Sequence, residues 1–205
     1  MFAQHQPTIS AYGRSSAEGF ARCGLLCIAS ARQPFATVGE AMREILGGRG
    51  ASDLFAWKAQ AWDQLQETAT ERLATLEALE AKRASDVAML LQVTSWYGFG
   101  YVKGGFLLQL LYGRLGCLDT RNEAQFGLRY LRKRADTSLE ARTQVARRYV
   151  RKVKSLGGCE FLWNNWCMGL AAEGNRFKSA WDVSAEHCRV LGLDPGAEDF
   201  SSPPF

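Results

Sequence analysis

Trp96-Tyr-Gly-Phe-Gly-Tyr-Val-Lys-Gly-Gly-Phe-Leu-Leu-Gln-Leu-Leu-Tyr-Gly-Arg-Leu-Gly-Cys-Leu-Asp119-Thr-Arg-Asn122 is the stretch that decides how this chain reads. It sets Gly98-x-Gly100 between two apolar helical segments. Two glycines at that spacing permit a tight turn with left-handed torsions, and the turn opens directly onto a helix at about 102–113. Free amides at the start of that helix, with the helix dipole, form an anion site to which Lys103 adds a charge. The same pattern also fits an ordinary helix–turn–helix corner. Gly104 and Gly105 clear the first turn of the helix for a close neighbour, either a packed helix or a nucleic-acid backbone. Asp119 follows Gly100 by nineteen residues, where the next helix should start. It reads as an N-cap and equally as a carboxylate that stabilises an electron-poor centre or accepts a proton; the two roles are compatible.

Outward from this stretch the chain reads as all-α. Ala, Leu, Glu, Arg and Gln abound, and alternating β-branched runs are scarce. Capping boxes at Ser15-x-x-Glu18, Thr37-x-x-Glu40 and Thr137-x-x-Glu140 predict helix starts. Glycines at 47–48, 113, 157–158, 174 and 192 predict stops. The predicted helices cover about 15–31, 37–46, 52–82, 86–97, 102–113, 120–134, 138–156, 159–172 and 180–191. A polar loop, GGRGASD, falls at 47–53. Residues 194–205 carry three prolines and read as a tail. The 205 residues suit one domain, with a hairpin core at about 86–122 and basic helices at about 120–156.

Composition excludes several classes. At 47% hydrophobic and 22% charged residues the chain is not disordered, and five Pro exclude a Pro-rich one. Its apolar runs are too short to span a bilayer, and MFAQHQPTISAYGR lacks the order of a signal peptide. A soluble, cytoplasmic protein with no membrane partner is expected. Six cysteines without a CxxC, and only two histidines, predict reduced thiols and neither zinc nor an iron–sulfur cluster. The C-x6-C-x2-C-x5-C spacing of iron–sulfur DNA glycosylases is absent.

The net charge of +4 is unevenly spread. Arg121 to Lys154 sums to +8, which leaves −4 for the remainder. Such a block is the footprint of a polyanion partner, or a solvated helix face. Within it Arg147, Arg151 and Lys154 share one face of a helix, suited to tracking phosphates, and Val145, Tyr149, Val150 and Val153 form a partly apolar one. Phe161-Leu-Trp163-Asn164-Asn165-Trp166 is aromatic-rich. Trp163 and Trp166 read first as one core face, with base stacking as the alternative; Asn164 and Asn165 are candidate pocket donors.

The order hairpin, helix, loop, aspartate resembles the helix-hairpin-helix DNA glycosylase superfamily. The match runs through Tyr97-Gly98-Phe99-Gly100, then Gly104, then Leu118-Asp119-Thr120, about 35 residues in all. It implies an all-α glycosylase-like fold of two helical lobes with the active site between them. It also implies DNA binding at Gly98, Gly100 and Gly104, where hairpin carbonyls hold a monovalent cation in relatives; no other cofactor is expected. Tyr97 replaces the hairpin proline, and Arg121 replaces the histidine after Asp-Thr. Val102 occupies the place of the lysine that bifunctional members use, and Lys103 lies roughly 100° further round the helix.

A narrower resemblance follows Gly100, Val102, Lys103, Gly105, Phe106, Leu108 to Leu111, Gly113, Gly116 to Asp119 and Asn122. This form is similar to the phage thymine pyrophosphorylases, or amino acid:DNA transferases. The resemblance implies an enzyme in the host cytoplasm that displaces pyrophosphate from pyrophosphorylated 5-hydroxymethyluracil in DNA with an amino-acid amine. Its partners are DNA containing modified thymidine and a free amino acid such as glycine or serine, and a monomer is expected. Asp119 and Lys103 are the expected catalytic residues. Arg121 and Arg49 join Lys103 as candidates for the departing anion or the amino-acid carboxylate. Trp96, Tyr97, Gln109, Asn122 and Asn164 are candidates to line a pocket for an extruded base. A monofunctional glycosylase that attacks C1′ with water, and a DNA-binding module without chemistry, remain the alternatives.

Overall fold

The computed structural model describes residues 1–49, 55–126, 138–173 and 177–196, the side chains of Gly48 and Arg49 excepted. The described chain is all-helical: α1 (Phe2–Ser15), α2 (Ala17–Ala29), α3 (Phe35–Glu44), α4 (Ala56–Ala81), α5 (Asp86–Thr94), α6 (Tyr101–Tyr112), α7 (Thr120–Phe126), α8 (Leu139–Ser155), α9 (Gly158–Ala172) and α10 (Ala180–Val190). One π-helical turn, Ile45–Arg49, extends α3.

Serine hydroxyls start four of these helices. Ser16, Ser85, Ser138 and Ser179 accept from the amides of Gly19, Ala88, Ala141 and Asp182 at 3.0–3.3 Å. Each satisfies an amide the helix itself leaves open. Two predicted caps are thereby corrected. Ser16, not Ser15, caps α2, while Ser15 donates to the Tyr12 carbonyl. Thr37 sits inside the first turn of α3, which starts two residues earlier at Phe35 behind Pro34. Thr137 lies outside the described residues, as do Gly174, residues 127–134 of the helix predicted over 120–134 and most of the predicted tail. The predicted polar loop at 47–53 begins instead as the π turn.

α1 was absent from the sequence reading. Its buried side is His5, Gln6, Ile9 and Gly13, and Pro7 lies within it. That side contains a single aliphatic residue, so it leaves no hydrophobic period. Polar contacts seat it instead: Gln6 donates to the Leu110 carbonyl at 3.2 Å, and the Phe2 amide donates to Asn164 Oδ1 at 3.1 Å.

α2 and α6 are the buried centre. Every residue of α2 from Gly19 to Ala29 except Arg22 is buried, and so is every residue of α6 from Gly104 to Leu111. Helices apolar on all sides must be enclosed by others. α1, α3, α4 and α6 pack on α2, and α1, α2 and α5 pack on α6. One apolar cluster runs through the whole assembly, from Ile9 to Leu191. All six cysteines are free thiols.

α8 has the two faces its sequence implies, with Ala146 in place of the half-buried Val145 on the inner one. Ala146, Tyr149, Val150 and Val153 are buried, whereas Arg147, Arg148, Arg151 and Lys154 are exposed. Lys154 also pairs with Asp86 at 3.2 Å. Arg114 binds the same Asp86 at 2.8 Å, Glu80 at 2.6 Å and the Ala84 carbonyl at 2.7 Å. These contacts fasten the end of α6 to the α4–α5 corner.

Candidate active site

The turn between α5 and α6 has the expected torsions. Gly98 has φ of 85°, and a side chain there would meet the Ala61 methyl at 2.5 Å. Gly100 is the N-cap of α6. The Trp96 carbonyl accepts from the Phe99 amide and the Gly100 carbonyl from the Gly104 amide. No carboxylate belongs to residues 95–101, so a cation at this turn would be held by its remaining carbonyls. Gly104 packs toward Leu90 and Val93 of α5.

After α6, Gly113 takes φ of 60° and the chain doubles back. Tyr149 of α8 fixes the return. Its buried hydroxyl donates to the Gly116 carbonyl at 2.6 Å and accepts from the Leu118 amide at 3.1 Å. Gln109 is a second fastening: its Nε2 donates to the Cys159 carbonyl at 3.0 Å, and its Oε1 accepts from the Cys117 amide at 3.3 Å. Asn122 is the third, donating to the Cys117 carbonyl at 2.6 Å. Three side chains thus hold the loop that presents Asp119.

Asp119 uses both oxygens. Oδ1 accepts from the Asn122 amide at 3.1 Å and so caps α7; Oδ2 accepts from Trp166 Nε1 at 3.0 Å. The carboxylate is fixed in the wall of a cavity of about 620 Å³. Lys103 and Arg121 line the same cavity, as does Gln109. Lys103 donates to Ser30 Oγ at 2.8 Å, and Arg121 is doubly bonded to Glu173.

Much of the apolar wall is aromatic. Phe35 meets Trp166 edge-on at 5.0 Å and overlies His187 at 4.5 Å, and Trp163 overlies His187 at 4.3 Å. Phe106 closes the group at 6.0 Å from His187. Trp163 donates to Ser184 Oγ at 2.9 Å, and His187 Nδ1 lies 3.0 Å from the Val183 carbonyl. A carbonyl can only accept, which places the proton on Nδ1 and leaves Nε2 an acceptor. Burial lowers the His187 pKa to about 4, so the ring is neutral near pH 7. Burial chiefly, with Asp119 adding, raises the Cys117 thiol to about 12, which makes it no nucleophile at neutral pH.

The buried imidazole has a consequence for stability. It binds its proton less readily folded than unfolded, so its contribution is complete above the unfolded pKa of about 6.5 and is lost as pH falls toward 4. The expected loss is about 3 kcal/mol over that window. Urea unfolding of the wild type and of His187→Phe from pH 7 to pH 4 checks it: the wild type should lose that much more stability than the variant, and parallel curves would refute it.

The remaining sequence candidates lie elsewhere. Trp96 packs against Phe20 and Phe99 beneath Arg72, and Tyr97 is 42% exposed at the turn; neither lines the cavity. Asn164 holds the start of α1, and Asn165 exchanges hydrogen bonds with Gln125. Asn122 is buried behind Asp119. The Arg49 side chain lies outside the described part. The sequence reading passed over Ser30, Arg32, Phe35 and His187 as wall residues. Phe106 stood in the decisive stretch with no role given. Trp166, read first as core, is the direct partner of Asp119. Among the described residues no group of three His, Cys, Asp or Glu could hold a metal, and no helix is long and apolar enough to cross a membrane. No protein-family model, curated protein or solved structure matches the chain.

Proposed function

We propose that this chain is a DNA-modifying transferase of glycosylase-like fold, which holds an extruded pyrimidine in the aromatic cavity and exchanges a pyrophosphate on its C5 methylene for an amino-acid amine. The observation that carries this reading is the Asp119 carboxylate, pinned by Trp166 and the α7 amide beside a slot walled by Phe35, Phe106, Trp163 and Trp166. A cavity lined by aromatic side chains suits a flat base, and a base must leave the duplex to reach it. The exposed cations of α8, Arg147 and Arg151 foremost, suit the backbone of the DNA that delivers it.

The chemistry is a displacement. The amine nitrogen bonds to the exocyclic carbon as the carbon–oxygen bond to pyrophosphate breaks, and the electron pair leaves with the phosphate oxygen. Asp119 stabilises the electron-poor carbon and takes the proton the ammonium sheds. Lys103 offsets the charge that builds on the leaving oxygen.

Mass spectrometry of nucleosides tests this. DNA bearing pyrophosphorylated 5-hydroxymethyluracil is incubated with the protein and a pool of amino acids. A thymidine that carries an amino acid joined through its amine nitrogen to the C5 methylene is the expected product. An abasic site would instead assign water attack at C1′, and unchanged DNA would remove the enzymatic reading.

A further inference from the structure

The charged groups of the cavity divide by element. Asp119, Glu123 and Glu173 belong to the start of α7, to α7 itself and to the end of α9, where Arg121 joins them. The cations Arg32 and Lys103 come from the segment after α2 and from α6, which contribute no carboxylate to the lining. Lys103 is bonded to Ser30 in that same segment. Arg32, held at φ of 58°, is exposed and makes no ion pair among the described residues.

A third cation stands behind these two. Lys58 of α4 is wholly buried and donates to the Ala29 carbonyl, the last residue of α2, at 2.9 Å. Burial first, then the charges of Lys103 and Arg32, lowers its pKa to about 8. Among the described residues no carboxylate pairs with it, and the Phe55 and Trp57 rings lie 5.5 and 6.0 Å from its ammonium; lysine almost never enters an interior without a counter-charge. Gathering three like charges about one turn of chain is unfavourable unless an anion joins them. α3 starts at the same place: no side chain caps it, and Phe35 and Ala36 of its first turn line the cavity.

We propose that Arg32 and Lys103, the latter positioned by Ser30, form with Lys58 behind them a binding site for a terminal diphosphate between the end of α2 and α6. Its role as a leaving-group site rests on the transferase reading above. Displacement at a carbon requires the entering and leaving groups on opposite sides. Drawing the cations from the end of α2 and from α6, and the carboxylates from α7 and α9, provides separate elements for the two groups. A phosphodiester of the DNA backbone offers the same phosphate chemistry with less charge, and the test separates the two.

Calorimetry on the full chain, without DNA, uses inorganic pyrophosphate and the dinucleotide thymidylyl-thymidine. Saturable pyrophosphate binding is expected, with the dinucleotide at least about tenfold weaker. Arg32→Gln, at an exposed side chain, should weaken pyrophosphate about tenfold or more. Lys58→Met, which removes the buried charge together with its hydrogen bond to the Ala29 carbonyl, should weaken it comparably in protein whose melting transition shows it still folded. No saturable binding, equal binding of the dinucleotide, or an unchanged affinity in Arg32→Gln would each overturn the site. The outcome is independent of the nucleoside assay: adduct formation with an Arg32-insensitive pyrophosphate affinity sinks this site alone, and specific pyrophosphate binding without adduct sinks only the transferase reading.

Discussion

Asp119→Asn should lower adduct formation by about 10²- to 10⁴-fold while the protein stays folded and still binds DNA. Asparagine has the same shape, and its carbonyl oxygen can keep the cap on the Asn122 amide. Its NH2 group cannot accept from Trp166, so one hydrogen bond and the negative charge are lost together. The charge is what an electron-poor carbon and an ammonium require. Asp119→Ala removes the cap as well and adds about 1 kcal/mol of destabilisation. Three measurements on each variant separate chemistry from scaffold: product by mass spectrometry, melting temperature, and DNA affinity by fluorescence anisotropy. An Asn variant that keeps its rate would leave Asp119 with the cap alone.

Gly105→Ala should cost about 2–4 kcal/mol, which for a chain of this size lowers the melting temperature by roughly 4–16 °C. A methyl group at position 105 would lie 2.5 Å from the Tyr149 hydroxyl and 2.7 Å from the Gly116 carbonyl. The second contact is with backbone and has no rotamer to retreat into. Tyr149→Phe relieves the first contact, but it strands the Gly116 carbonyl and the Leu118 amide in the interior, at about 2–3 kcal/mol. The two changes act on one contact, so the double variant should be more stable than the summed single effects by about 1 kcal/mol or more. Strict additivity in urea unfolding would show that Gly105 and Tyr149 do not share this contact.

The hairpin and the loop after α6 were legible because each step has a local signature. Glycine marks the turn at 98–100 and the reversal at 113, and an aspartate ahead of a polar helix marks a cap. α1 was illegible for the opposite reason: its inward side is histidine, glutamine and glycine, and its seat depends on partners more than 100 residues away. Gln109 and Asn122 show a different limit. An amide that lines a pocket and an amide that fastens a loop are the same letters. Only the bonds to Cys159, to Cys117 and across the loop reveal that both hold Asp119 in place. Lys58 is the sharpest case. Sequence places lysine outside, and only the fold brings it under the end of α2. Trp166 carries the spacing of a core residue, and its indole nitrogen decides the role that spacing cannot.

α8 joins two tasks in one rigid body. Its outward side presents Arg147 and Arg151 to solvent, and its inward side grips the Asp119 loop through a single phenol. The seventeen residues of α8 include no proline or glycine, the usual causes of a kink. The outer arginines are therefore joined to the Gly116–Leu118 backbone through Tyr149 of the same helix. Under the proposed function, strand engagement at α8 would bear on the same loop that Gln109 and Asn122 fasten from the other side, so binding and carboxylate placement would be coupled rather than separate.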